Sequence, residues 1–176
     1  MVSRLLTRRP AVPDLQTWTP EGTIVVQRYG ALKDAVVLVY TAEGDRLSCY
    51  ATACLGCTYR EAVTGSGRFT LDDAGHAANV HASHCRALPR GVPERPDDST
   101  AEALILAQVE TQRETIKPRP VNLTDFHGVR VDLQRTTDWV IHALLRLARS
   151  QPHLLTTTPA SSGTGTLFHV QPYPVD

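Results

Sequence analysis

Four side chains in this sequence have the chemistry and spacing to grip one metal ion. Cys54 and Cys57 stand in "CLGC", a Cys-x-x-Cys step that presents two thiolates from one tight turn, with Gly56 lending the turn backbone freedom. His81 and Cys85 stand in "VHASHC", four residues apart, and on a helix that spacing puts both on one face about one turn apart. His84, the neighbour of Cys85, points elsewhere. Three thiolates and one imidazole form a tetrahedral set that suits Zn2+, and a closed set of four protein ligands leaves no position for a catalytic water. The residues therefore argue for a structural ion and against an enzyme.

Other readings of the same residues stay open at this point. The four cysteines could be ordinary buried small hydrophobes, with the histidines decorating a helix surface. Cys54 and Cys57 could be a redox pair, although no strand-then-helix context of the thioredoxin type surrounds them. Cys49 could replace one of the four ligands, but its place on an alternating strand favours a core thiol. Other chemistry lacks a signature: the sequence contains no G-x-x-x-x-G-K-[ST], no G-x-S-x-G and no H-E-x-x-H. Asp72 and Asp73 read more simply as a helix start than as a pair of catalytic acids.

The elements that must position the quartet follow from periodicity. "TIVVQRY" and "AVVLVYT" are β-branched and aromatic runs that read as a hairpin, and "RLSCYATA" adds a third antiparallel strand that delivers the chain to Cys54. "TYREAV" and "RFT" flank the turn "TGSG" and read as a further short hairpin. "LDDAGHAANVHASHCRAL" reads as a helix capped by Asp72 or Asp73 and ended by Pro89. The chain then passes through a proline-rich linker at residues 91–98 into a helical region, 99–150, where Ser99 and Glu102 have capping-box spacing. There Ile105, Val109 and Ile116 share a face, and residues 131–150 form one amphipathic helix whose stripe of Leu133, Val140, Leu144 and Leu147 asks for a partner. Residues 1–20 suit an extended basic arm, and residues 151–176 a flexible tail apart from a short strand at "TLFHV". The expected class is α+β: antiparallel strands in residues 21–90, a zinc-stapled strand-strand-helix module at 47–88 within them, then a helical hairpin and a tail.

The order Cys54, Cys57, His81, Cys85, with a knuckle facing two helical ligands, resembles a zinc finger of the strand-strand-helix kind with a CCHC ligand set. The resemblance covers residues 47–88. It departs from the common finger in the gap between ligand pairs, about 12 residues there but residues 58–80 here, so it implies the ligands and not the base contacts. "ACLGCTYR" together with "HCRALPR" is also similar to small actinobacterial proteins with the same signature, a likeness that implies zinc and a GC-rich source but no activity.

Composition narrows the partners. The 176 residues carry 18 basic and 18 acidic groups, a formal net charge of zero, so any nucleic-acid surface must be local. All but Lys33 and Lys117 of the basic residues are arginine, and Arg60, Arg68, Arg86 and Arg90 belong to the module or its edge. With 41% apolar and 20% charged residues the chain is neither a disordered polyampholyte nor a membrane protein. The N-terminal residues lack an apolar stretch of about 7 to 15 residues that could serve as a signal-peptide core, and a cytoplasmic, reduced setting is expected. Two functions follow as expectations. One is a small zinc-binding, regulatory or nucleic-acid-associated protein with Arg60, Arg68, Arg86 and Arg90 on phosphates. The other is an assembly component that uses the 131–150 helix for self-association or for a protein partner. No membrane partner is expected.

Overall fold

Val36 to Tyr40 run without a polar interruption, and a strand made of them sends apolar side chains to both faces, so each face needs a cover. The protein is described here by a computed structural model covering residues 14–45, 49–63, 67–114, 117–160 and 165–173. The apolar run is strand β2 (Val36–Ala42), antiparallel to β1 (Thr23–Gly30) on one side and to β3 (Ala51–Cys54) on the other, with β4 (Arg60–Ala62) beyond β3. Residues 36–40 are each at most 1% exposed, so both faces are closed.

One cover is helix α1 (Leu71–His84), whose Ala74, Ala78 and Ala82 pack with Val37, Val39 and Cys54. The opposite face, with Val36, Leu38, Tyr40, Ala51, Ala53 and Leu55, is closed by Val131 and by Leu15 and Trp18 of the N-terminal segment. Val131 belongs to the short helix α3 (Arg130–Leu133), which continues a 3-10 helix at Leu123–Val129. Helices α2 (Asp98–Glu110) and α4 (Thr137–Ser150) and a second antiparallel sheet, with β7 (Thr166–Val170) between β5 (Arg119–Val121) and β6 (Leu155–Pro159), enclose a separate core. The fold is α+β, with antiparallel sheets.

Several local expectations change. The expected hairpin between "TYREAV" and "RFT" does not form among the described residues: β4 pairs with β3 instead, Ala53 opposite Arg60, so the turn of that hairpin is the "CLGC" knuckle itself. The cap of α1 is Thr70, whose side chain accepts from the Asp73 N–H while the Asp73 carboxylate accepts from the Thr70 N–H, a reciprocal capping box. In α2 the cap is Asp97, accepting from the Thr100 N–H at 2.7 Å, and Ser99 lies inside the helix. The single helix expected over 131–150 is broken at Gln134, which takes a left-handed backbone, φ 46°. Its side chain there donates to the carbonyls of Pro93 and Glu94 at 3.1 and 3.0 Å, a tertiary reward that outweighs helical continuity. The short strand expected at "TLFHV" forms as β7, and within the rest of the expected flexible tail β6 pairs with it, while β7 also pairs with β5. Of the basic arm, residues 14–18 form a turn whose Leu15 and Trp18 pack on the sheet; residues 1–13, Ile116 and the turn residues 64–66 lie outside the described residues.

The Tyr40 hydroxyl donates to the His127 carbonyl at 2.8 Å, Arg60 pairs with Asp132 at 2.8 Å, and Arg135 ties the 91–98 segment down through the Pro96 carbonyl and Asp98. Moreover, the stripe of α4 is consumed internally: Val140, Ala143 and Leu144 are buried in the core shared with α2 and β6. It is not a free surface for a partner. Among the described residues no helix is long and apolar enough to cross a membrane.

Leu144→Ala is expected to cost about 2 to 5 kcal/mol, the range for emptying a closed leucine site. Urea unfolding followed by circular dichroism measures it, and a change below about 0.5 kcal/mol, typical of surface substitutions, would show that the stripe is not core.

Candidate metal centre

Strand alternation delivers the first ligand. Cys54 lies opposite Val37 on the face covered by α1, with no exposure. The chain then turns sharply through Leu55 to Thr58 to enter β4, and the turn brings Cys57 back toward the same helix. In both cysteines the sulfur accepts a backbone N–H from two residues on: Gly56 to Cys54 Sγ and Tyr59 to Cys57 Sγ, each at 3.4 Å. Such donors stabilise thiolates, because they place positive dipoles on a developing anion.

The helix supplies the other two. His81 sits in the last turn of α1 and Cys85 is its C-terminal cap residue, its N–H still bonded to the His81 carbonyl at 2.8 Å. Cys57 Sγ lies 3.4 Å from His81 Nε2, and Cys54 Sγ lies 3.9 Å from Cys85 Sγ. All four ligand atoms fall within 4.8 Å of one another, and none of the four cysteines is in a disulfide. The His81 ring is held by Tyr59, stacked on it with centroids 3.9 Å apart and planes 7° apart. This Cys3His group is close enough to bind a metal ion. The residues expected from their spacing are the ones brought together, and His84 is not among them: its ring bonds Ser83 and the Val80 carbonyl on the helix surface. Cys49 is buried away from the group.

Gly56 has a different role from the one its residue type suggests. It does not adopt a positive φ. What it provides is space: a Cβ there would stand 2.6 Å from Ala35 Cβ and 3.0 Å from the Leu88 carbonyl oxygen. The knuckle is pressed between the β1–β2 turn and the chain leaving α1, and the Leu32 N–H donates to the Cys85 carbonyl at 3.2 Å across the same place.

Sequence reasoning missed Tyr59 and the position of Arg60. Arg60 donates to the Cys54 carbonyl at 2.9 Å while its other nitrogens hold Asp132 bidentately at 2.9 and 2.8 Å. It thus links a ligand strand to α3, and its guanidinium is committed inside the protein. The local string "CTYR" names both residues, but the partner 72 positions away could not be read from it. Of the other arginines considered for phosphate contact, Arg68 is exposed at the mouth of a separate cavity, and Arg86 and Arg90 are exposed just past Cys85.

Without metal the group is poorly disposed to charge. Burial pushes the Cys54 thiol up to about 11, opposed by the Gly56 and Cys57 N–H groups and reinforced by the neighbouring Cys57 thiol. Burial lowers His81 below its ordinary 6.5. A neutral Cys54 thiol and a neutral His81 imidazole are therefore the resting forms, and a metal cation would displace the proton from Cys54 as it binds.

Comparison with protein-family models, with curated proteins and with solved structures finds no match to this chain.

Gly56→Ala is expected to cost about 1 to 3 kcal/mol through overpacking and to weaken metal binding by spreading the knuckle. Urea unfolding and competition with a chromogenic chelator measure the two effects, and an unchanged midpoint with unchanged affinity would refute the close approach. The metal-free protein is expected to lose stability at both pH extremes. Below about 6.5 the unfolded chain takes up a proton on His81 that the folded state resists. Between the ordinary cysteine value of 9.0 and about 11 the unfolded chain releases the Cys54 proton that the folded state retains. Thermal unfolding across pH in the presence of a chelator checks both limbs; a flat profile contradicts the burial argument.

Proposed function

We propose that Cys54, Cys57, His81 and Cys85 hold Zn2+ as a structural ion, in a non-enzymatic regulatory or nucleic-acid-associated protein built on a zinc finger-like CCHC module. The observation that carries the zinc reading is the convergence of the four donors. A tetrahedron with Zn–S bonds of about 2.3 Å has S···S edges of about 3.8 Å, and the Cys54 to Cys85 separation of 3.9 Å fits that edge. Three sulfurs and a nitrogen are the soft and borderline donors that zinc prefers over calcium or magnesium. Four protein donors leave no coordination position for water, which supports a structural role and no catalysis. The ion would supply folding free energy, on the order of 10 kcal/mol in isolated fingers, at the end of a helix whose buried positions are three alanines and a glycine.

The nucleic-acid reading draws on Arg86 and Arg90, exposed beside the module's last ligand. Arg60 is withdrawn from it because Asp132 already neutralises the guanidinium. The alternative is a protein-protein or assembly role in which zinc is purely structural. The 131–150 helix no longer supports it, but exposed Leu32 and Leu88, 58% and 70% accessible, flank the metal end and do.

Protein purified without added metal is expected to carry one zinc per chain by elemental analysis; a ratio near zero would remove the reading. With a duplex of random sequence, Arg86→Ala and Arg90→Ala are each expected to reduce the slope of log affinity against log salt by roughly 0.9. If zinc is present but no salt-dependent binding occurs, the nucleic-acid role fails, and loss of an oligomer or partner in Leu88→Asp would favour the assembly role.

A further inference from the structure

Beyond the end of β2 and β3 that lies opposite the metal centre, the fold encloses a second feature that the zinc reading does not use. It is a cavity of about 720 Å3, walled by the turn after β2, Cys49, the start of the 3-10 helix, His127, Arg130 and the first turn of α4. Most of its exposed wall area is apolar, and the charged groups on it are Glu43, Asp45, Arg68 and Arg130, with His127 beside them.

Arg130 is the unusual component. Its side chain is completely buried, yet no carboxylate pairs with it among the described residues. Nη1 donates to the Arg135 carbonyl at 3.2 Å and Nη2 to the Thr137 hydroxyl at 3.4 Å, while Nε has no partner. Burial lowers the guanidinium only to about 10, so it stays charged at neutral pH. A buried cation without a counter-charge is costly, and proteins ordinarily pair it. A second orphan lies in the same wall: His127 is 2% exposed and its Nδ1 has no partner. The other ring nitrogen, His127 Nε2, lies 3.9 Å from the Asp45 carboxylate, which also accepts from the Cys49 N–H at 3.0 Å and the Thr41 hydroxyl at 3.2 Å.

We infer that this cavity binds a small organic anion, a carboxylate or phosphate monoester with an apolar body, its charged group on Arg130 and a hydrogen bond to His127 Nδ1. The anion supplies the missing counter-charge, and the apolar body fills a space too large for a simple ion. Guanidinium is suited to both headgroups, because its planar array of donors matches the oxygens of either. The inference is independent of the metal: it uses none of the four ligands.

The test uses the full-length protein as purified and four probes: benzoate, phenyl phosphate, inorganic phosphate and benzyl alcohol. Benzoate or phenyl phosphate is expected to raise the thermal midpoint and to bind in titration calorimetry, and the stronger of the two identifies the headgroup. Inorganic phosphate and benzyl alcohol, which each carry only half of the chemistry, are expected to bind at least tenfold more weakly. Arg130→Met is expected to fold and to bind the better probe roughly tenfold or more weakly, the scale of a lost charged hydrogen bond. Leu123→Trp, which places bulk in the same wall without touching the buried charge, gives a second reading should Arg130→Met not fold: binding is lost while the midpoint without probe is retained. The inference is overturned if neither organic anion binds, if inorganic phosphate or benzyl alcohol binds as tightly as they do, or if both variants bind like the parent.

Discussion

Everything in the N-terminal half is arranged around the need to cover both faces of β2. Five consecutive residues at or below 1% exposure demand two layers, and the chain meets the demand unequally. On one side Val131, Leu15 and Trp18 bring large apolar groups. On the other side the buried positions of α1 are Ala74, Gly75, Ala78 and Ala82. Alanines and a glycine let the helix approach closely, with Gly75 near the Gln27 and Tyr29 side chains, but they remove little apolar area from water. A helix docked so thinly gains from a clamp at its end. The ligand quartet joins the C-terminus of α1 to the β3–β4 turn, where a metal ion would supply the attachment that small side chains cannot.

The same economy connects the two halves. Cys54 belongs to a strand whose carbonyl holds Arg60, and Arg60 holds Asp132 of α3, the helix that also puts Val131 on the far face of the sheet. The ligand strand is therefore fixed from both sides, by α1 on the thiol side and by α3 through its backbone. Rigid support of this kind would hold the four donors within range of one ion.

What could be read from the sequence was what local chemistry determines. Cys54 and Cys57 lie within one turn and His81 and Cys85 within one helical turn, so their convergence required only that a strand and a helix pack. The strands β1 to β3 were equally legible, because β-branched runs separated by turn residues pair with their neighbours. Reading failed where the partner was distant: "TLFHV" was legible as a strand, but its partners β5 and β6 were not, and Gln134 broke a helix to bond Pro93 and Glu94. The amphipathic stripe of α4 was read correctly as apolar and wrongly as available, since amphipathicity reports that a face is covered and not by what.

The buried cation of Arg130 illustrates the limit most sharply. In the sequence it is one arginine among many in "HGVRVDLQR", and composition invites a surface role for all of them. Burial reverses that reading. Arg60 and Arg135 are drawn inward and find Asp132 and Asp98, so their charge is settled by the fold itself. Arg130 is drawn further in and finds only a carbonyl and a hydroxyl. Replacing it with an apolar residue would relieve the desolvation cost outright, so a guanidinium in that position carries a burden that the packing of β2, α3 and α4 does not require. The burden is lifted when an anion occupies the cavity that Arg130 lines, and this asymmetry between the three inward arginines favours a binding site over a packing defect.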